Sequence, residues 1–161
     1  MHEMGFVHSD IKPENIVRME DGTIKLIDFG TAAKIDNTGT APFLGETPEY
    51  MAPENFPGDH GKGSKAADIW SYGASSLMSI MPTLLPDSPD YKRLKDHFPS
   101  VHTTDNGKPM KSELADIVSS GDLLQHIPHY ADFLSKMLQV EPEKRSSADE
   151  LLQHPFLQTK G

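Results

Sequence analysis

The chain of 161 residues contains no cysteine. That excludes a disulfide framework and a thiolate metal site, and it fits a reducing compartment. No apolar run approaches the ~18 residues that a bilayer-spanning helix needs, so a membrane is not an expected partner. The first ten residues, MHEMGFVHSD, lack the basic-then-apolar order of a secretory signal. An intracellular location, cytoplasmic or nuclear, is the expectation. Positive charge is scarce: 15 Lys and Arg stand against 24 Asp and Glu, for a net charge of -9. Phosphate backbones are held by clustered Lys and Arg, so nucleic acid is not an expected partner either.

What remains is the composition of an ordinary globular protein, 36% hydrophobic and 24% charged. The length suffices for one core and is too short to argue for two. The first ten residues carry few helix signals beyond Met1 to Met4, which read as the tail of a helix that Gly5 stops. Two β-branched runs follow, NIVRM and TIKLID, separated by Glu20-Asp21-Gly22. An Asp-Gly pair between such runs predicts a hairpin whose turn residues take positive φ. Residues 36–63 are rich in Gly, Pro, Asn and Thr without periodicity and read as a long loop, of the kind a compact domain keeps for function.

Helical spacing then returns. Ile69, Trp70, Gly73, Ala74, Leu77 and Met78 form one apolar stripe, ended by Pro82. Residues 82–112 are punctuated by proline, with a short helix expected at YKRLKDHF. Tyr130, Phe133, Leu134, Met137 and Leu138 make a second stripe. A third helix starts at Ser147, with Glu150 placed for a capping box, and Pro155 closes it.

Four stretches stand in a fixed order: HSDIKPEN from His8 to Asn15, DFG from Asp28 to Gly30, GETPEYMAPE from Gly45 to Glu54, and DIWSYG from Asp68 to Gly73. Together they resemble the eukaryotic-type protein kinase family, in its Ser/Thr branch, over essentially the whole chain. The resemblance implies a mainly α (α+β) fold, the C-terminal lobe of a kinase. In it a helical bundle bears a small β-hairpin that carries the catalytic loop and DFG, and residues 1–161 form a partial kinase domain. It also implies phosphoryl transfer from ATP, with Mg²⁺, to a Ser or Thr hydroxyl of a protein substrate.

Such chemistry asks for an aimed nucleophile and neutralised phosphate charge more than for covalent help. By the resemblance, Asp10 orients the substrate hydroxyl and takes its proton, and Lys12 offers a compact charge to the γ-phosphate. Asn15 and Asp28 match the family's two metal-binding positions, with the hard oxygen ligands that Mg²⁺ prefers. Lys12, Glu14, Asn15 and Asp28 form the expected nucleotide-binding set. The hairpin supports this reading, since its open end brings Asn15 and Asp28 near each other. Phe29 is expected to pack on the core beside His8, itself a satisfied core histidine, and Gly30 to let the backbone turn. Lys12 and Thr47 stand where Ser/Thr members carry a lysine and a threonine that bonds the catalytic loop. Glu54 and Arg145 are expected as a buried structural pair, and Asp68 as the acid that holds the catalytic loop's backbone.

Two departures from the family pattern carry expectations of their own. Ser9 occupies the place where most members carry an arginine that pairs with a phosphate on the activation segment. Activity is therefore expected not to require phosphorylation of Thr31, Thr38 or Thr40. There is also no G-x-G-x-x-G loop, no VAIK-like lysine and no partner helix glutamate. In the family those parts cover the phosphates and build half the adenine pocket. The chain by itself is expected to bind Mg-ATP poorly and transfer little phosphate, and a separate N-lobe chain would be a partner that completes it. A non-catalytic docking module is the alternative, against which the retention of Asp10, Lys12, Asn15 and Asp28 argues.

Overall fold

The computed structural model describes residues 1–45, 47–55, 61–80, 118, 127 and 129–158. The longest element among them is α1, Lys65–Ile80. Ser64 caps it, accepting the amide of Ala67 at 3.0 Å. Its stripe of Ile69, Trp70, Gly73, Ala74 and Leu77 is buried. Against this face lies α2, Tyr130–Met137, which buries Tyr130, Phe133, Leu134 and Met137. Trp70, Leu77, Leu134, Met137 and Leu138 are wholly enclosed, each contributing about 1.5–3 kcal/mol through apolar burial. The helices pass close because position 73 has no side chain. A Cβ there would lie 2.9 Å from the Met137 Cβ and 3.1 Å from the Leu138 Cδ2.

The C-terminal end is built as expected up to its last step. α3, Ala148–Leu152, opens with both halves of the capping box: Ser147 Oγ accepts the Glu150 amide, and Glu150 accepts the Ser147 amide at 2.7 Å. Pro155 does not close this helix, which has already ended. It opens a short further one, α4, Pro155–Gln158, because a residue without an N–H loses nothing in a first helical turn. Phe156 of α4 stacks on Tyr130 and Phe133 at centroid distances of 4.9 and 5.0 Å.

Among the described residues, three two-stranded antiparallel sheets stand in place of the single hairpin that the sequence suggested. The expected one forms between β2, Ile16–Arg18, and β3, Ile24–Leu26, with Ile16 opposite Leu26. Its turn differs in detail: Glu20, Asp21 and Gly22 form the loop, and only Gly22 takes positive φ (86°). Asp21 uses its side chain instead, accepting the Thr23 amide at 2.9 Å. The other sheets pair β1 (Phe6–Val7) with β4 (Ala33–Lys34) and β5 (Ala41–Pro42) with β6 (Lys62–Gly63). With a 3₁₀ turn at Pro53–Asn55, the β5–β6 pair divides the stretch 36–63 that reads as one loop. Two-residue ladders are too short to show alternation, so no period-2 signal announces them. Gly5 does stop the first turn, a 3₁₀ helix at His2–Met4, in the left-handed region at φ 75°. The helix expected at YKRLKDHF, and Pro82, lie outside the described residues.

Arg145 ties the last helices to the start of α1. Its side chain is 0% exposed, and all five of its N–H donors are used. Two reach the two carboxylate oxygens of Glu54 at 2.6 Å, and three reach the carbonyls of Ala66, Gln139 and Val140. The guanidinium also lies over Trp70, 5.1 Å from the ring centroid. The pair expected from the sequence is present and bidentate, but only its Arg145 half is buried, Glu54 being exposed.

Candidate active site

The site is organised from the buried start of α1. Asp68 accepts the amides of His8 and Ser9, both at 2.9 Å, and His2 Nε2 at 2.8 Å. These bonds hold the backbone through a sharp turn in which Ser9 takes φ 62°, a conformation that non-glycine residues adopt only where the surroundings impose it. His8 continues the bracing. Its Nε2 meets the Ile27 carbonyl at 3.0 Å, its Nδ1 accepts the Asp10 amide at 3.3 Å, and its own carbonyl accepts Thr31 Oγ1 at 2.9 Å. His8 is thus a satisfied core histidine with its proton on Nε2, as the sequence suggests.

The turn delivers Asp10 into a set of four donors. Its Oδ1 accepts Thr47 Oγ1 at 2.7 Å and the Thr47 amide at 3.1 Å. Its Oδ2 accepts Lys12 Nζ at 2.8 Å and Asn15 Nδ2 at 3.3 Å. Lys12 Nζ also donates to Thr47 Oγ1 at 2.9 Å, so Thr47 bridges the carboxylate and the ammonium. Partial burial pushes the Asp10 carboxyl upward, but the Lys12 bond, both Thr47 bonds and the Lys12 charge outweigh it, leaving the group below its ordinary value. The bond to Asp10, working against partial burial and aided by the charges of Asp10, Glu14 and Asp28, holds Lys12 above its ordinary value.

Asn15 ends a 3₁₀ turn, Pro13–Asn15, that leads into β2. Its Nδ2 donates to both the Asp10 carbonyl and the Asp10 carboxylate, which leaves the amide oxygen outside these bonds. The β2–β3 register carries on by one step: the Ile27 amide donates to the Asn15 carbonyl at 3.0 Å. Asp28 is therefore the residue just past the hairpin's open end, beside Asn15. It takes φ 58° and is exposed, with Oδ1 accepting the Gly30 amide at 3.3 Å. Glu14, exposed on the same 3₁₀ turn, acts through its charge on Lys12.

The structure thus gathers Asp10, Lys12, Glu14, Asn15 and Asp28 around one end of the hairpin, with Thr47 as their link to the segment before Glu54. Phe29 departs from expectation. It lies 5.3 Å from the His8 ring, centroid to centroid, but is 56% exposed instead of packed on the core, because it follows the outward turn at Asp28. His2, as the third partner of Asp68, was not legible in the sequence, where a histidine near the start of a chain carries no signal of a contact 66 residues away. Glu46 lies outside the described residues.

A model of the protein kinase domain matches residues 1–157. The chain belongs to the protein kinase domain family. Over 163 residues it is 35% identical to the serine/threonine-protein kinase pakA of Talaromyces marneffei, covering 98% of this chain and 22% of that protein. It is 37% identical to the serine/threonine-protein kinase shk1/pak1 of Schizosaccharomyces pombe, again over 98% of this chain and 22% of the relative. Mitogen-activated protein kinase kinase kinase 17 of Arabidopsis thaliana is 33% identical over 99% of this chain and 39% of its own length. The chain therefore spans between 22% and 39% of the length of these relatives. Among the described residues no helix is long and apolar enough to cross a membrane.

The kinase family uses Mg²⁺ and ATP, and the oxygen donors of Asn15 and Asp28 bear on whether this site suits them. No group of three His, Cys, Asp or Glu that could hold a metal occurs among the described residues. Mg²⁺ asks less of a protein than that: one or two hard oxygens, the rest coming from phosphate and water. The uncommitted amide oxygen of Asn15 and the exposed carboxylate of Asp28 fit that demand.

Proposed function

We propose that this chain carries the catalytic half of a protein serine/threonine kinase, with Asp10, Lys12, Asn15 and Asp28 as its working residues. The observation that carries the reading is the single carboxylate of Asp10 held by Thr47, Lys12 and Asn15 at 2.7–3.3 Å. Four donors fix both oxygens in direction before a substrate arrives, which is the preorganisation that aiming a hydroxyl requires. With its carboxyl held below the ordinary value, Asp10 is a weak base. Its main work is to orient the Ser or Thr hydroxyl, and it takes the proton once bond making has made that proton acidic.

Lys12 places its ammonium beside Asp10, where charge on a transferring phosphoryl group would be neutralised. Asn15 and Asp28 would hold Mg²⁺, with Glu14 on the nucleotide side of the same turn. When bound there, ATP would supply the phosphoryl group and Mg²⁺ would help neutralise its charge. Lys12 and Thr47, bonded to each other and to Asp10, stand where Ser/Thr kinases carry a lysine and a threonine, which supports Ser and Thr over Tyr as acceptors. Since the 161 residues contain no G-x-G-x-x-G loop, the cover over the phosphates comes from other polypeptide, in a longer chain or a second one. An intracellular, cytoplasmic or nuclear, setting follows from the need for ATP.

The test is phosphate transfer from Mg-ATP to matched Ser, Thr and Tyr peptides by the longest protein that contains residues 1–161. Asp10→Asn should lower kcat by about 10²–10⁴-fold, the range of a lost general base, with peptide binding retained. Asp28→Asn should raise the Mg²⁺ requirement. Transfer to Tyr alone, or full activity of Asp10→Asn, would overturn the proposal. The 161-residue chain alone should show no saturation by Mg-ATP at micromolar concentration in calorimetry.

A further inference from the structure

The turn that carries Asp28 has few restraints. On its near side the hairpin holds it, through the Ile27 amide and the Asn15 carbonyl at 3.0 Å. Asp28 then takes φ 58°, which a residue with a side chain keeps only where its surroundings over-determine it. Those surroundings are thin, since Asp28, Phe29 and Gly30 are all exposed. The Gly30 amide bonds Asp28 Oδ1 at 3.3 Å, and the Ala32 amide bonds the Phe29 carbonyl at 3.1 Å. Both bonds lie inside the turn, so they give it shape without giving it a place. Among the described residues, positions 28–32 make one hydrogen bond outside themselves, from Thr31 Oγ1 to the His8 carbonyl at 2.9 Å.

The acceptor is a fixed point. His8 is 0% exposed, and each of its polar atoms has a partner. Its amide meets Asp68, its Nε2 the Ile27 carbonyl, its Nδ1 the Asp10 amide and its carbonyl the Thr31 hydroxyl. One buried residue therefore grips the turn on both sides of Asp28, through Ile27 and through Thr31, and it grips Asp10 as well. The grip on Ile27 falls on a backbone carbonyl, which any side chain at that position would keep. The grip on Thr31 rests on one hydroxyl, and a single substitution removes it. β-Branching also suits Thr31 to the task, because its stiff χ1 leaves little rotamer freedom to lose when the bond closes.

We propose that Thr31 is a positioning residue for Asp28, its hydroxyl closing on the His8 carbonyl to keep the Asp28 carboxylate beside Asn15. The importance of that position for Mg²⁺ rests on the kinase reading above; the hold on the turn does not. With the bond open, the turn is tied on the Ile27 side alone, and Asp28 spends part of its time away from Asn15. The affinity of the site for Mg²⁺ then falls in proportion to the population that keeps the two side chains together. At saturating Mg²⁺ that population is restored, so the maximal rate depends on Thr31 far less than the Mg²⁺ requirement does.

The experiment compares Thr31→Val, which keeps the shape and deletes the donor, with Thr31→Ser, which keeps the donor, in the longest protein that contains residues 1–161. Hydrogen exchange is followed at the amides of Ala32 and Ala33, where the turn enters β4, without nucleotide or metal. Phosphate transfer is followed across a Mg²⁺ titration. Thr31→Val should speed exchange at both amides about tenfold relative to Leu77 of α1, the equilibrium counterpart of one lost hydrogen bond. The Mg²⁺ concentration for half-maximal rate should rise about threefold or more, while kcat at saturating Mg²⁺ changes by less than about twofold. Thr31→Ser should restore both. A fall in kcat with the Mg²⁺ midpoint unmoved is the mark of a protein that merely folds less well, and it would overturn the proposal. Unchanged exchange in Thr31→Val, or a Thr31→Ser as impaired as Thr31→Val, would do the same. Should Thr31→Val fail to fold, Thr31→Ala removes the same hydroxyl and is read against Thr31→Ser in the same way. Exchange needs neither metal nor phosphate transfer, so the two readings fail separately: a wild type that transfers no phosphate sinks the kinase reading and leaves exchange at Ala32 and Ala33 to decide the hold on the turn.

Discussion

Asp68 and Ser9, 59 residues apart in sequence, are joined by a 2.9 Å bond from the Ser9 amide to the Asp68 carboxylate. The neighbouring His8 amide reaches the other oxygen at the same distance, and His2 approaches that oxygen at 2.8 Å. One carboxylate at the start of α1 thus receives three donors from the chain's first turn and from the loop that delivers Asp10. Its value lies in matching acceptor to donors in a place without water: Asp68 is 1% exposed.

Asp68→Asn should accordingly be far from conservative. The amide keeps the shape but turns an NH₂ toward at least one N–H, leaving a buried donor unpaired. A loss of about 3 kcal/mol is expected, from one to two unsatisfied groups, measured by urea denaturation. His8 and Ser9 amides should exchange faster than the rest of the core. A loss below about 1 kcal/mol, the net worth of a single ordinary hydrogen bond, would show that the loop is held by something else.

Much of this arrangement was legible in the sequence, and the rest was not for physical reasons. Strong 3.6 periodicity announced α1 and α2, and the chemistry of Ser147 and Glu150 announced α3. The Asp-Gly turn announced β2–β3, and with it the meeting of Asn15 and Asp28. β1–β4 and β5–β6 escaped because two residues cannot show a period. Pro155 was misread because the same missing N–H that ends one helix suits the first turn of another. The exposure of Phe29 follows from positive φ at Asp28, a tertiary constraint that local sequence does not encode. Family resemblance, more than periodicity, singled out Asp10 and Lys12. Geometry added that Asn15 and Thr47 bind the same carboxylate.

The Glu54–Arg145 pair should be sharply asymmetric to substitution. Glu54→Ala leaves a guanidinium buried with three carbonyls and no counter-charge, for a loss of about 3 kcal/mol, the low end for a broken buried pair because those carbonyls remain. Arg145→Lys should cost a comparable amount, since one ammonium with three donors cannot serve five fixed acceptors. Exchanging the two residues should not rescue, because a carboxylate at 145 would face the carbonyls of Ala66, Gln139 and Val140. Rescue by the swap, read from denaturation midpoints, would reduce the pair to simple charge attraction.

Thr47 should be visible in the titration of Asp10. The folded-state value of Asp10 lies below its ordinary 3.8. Its contribution to stability is therefore complete above about pH 3.8, the unfolded value, and is lost as pH falls through the lower folded value. Thr47→Val deletes the 2.7 Å donor and keeps the 3.1 Å amide. The Asp10 carboxyl should move up toward 3.8, and the acid limb of the stability curve should begin at higher pH. Carbon-detected NMR titration of the carboxyl checks this directly. An unmoved Asp10 would assign its low value to Lys12 and the Thr47 amide.

Gly73 should be the most size-sensitive position of the α1–α2 contact. It sits mid-helix, where alanine is intrinsically better by about 1 kcal/mol, so helix propensity alone favours Gly73→Ala. The methyl would nonetheless stand 2.9 Å from the Met137 Cβ, an atom fixed to the backbone of α2 that no rotamer change can move aside. Overpacking of this kind costs about 1–3 kcal/mol, which exceeds the propensity gain over most of that range. Gly73→Ala is therefore expected to destabilise, by a net amount of up to about 2 kcal/mol in urea denaturation. Met137→Gly in the same background should recover packing at the contact and give a non-additive cycle. A Gly73→Ala variant more stable than the wild type would mean that the helices separate freely, and that their closeness reflects no tight constraint.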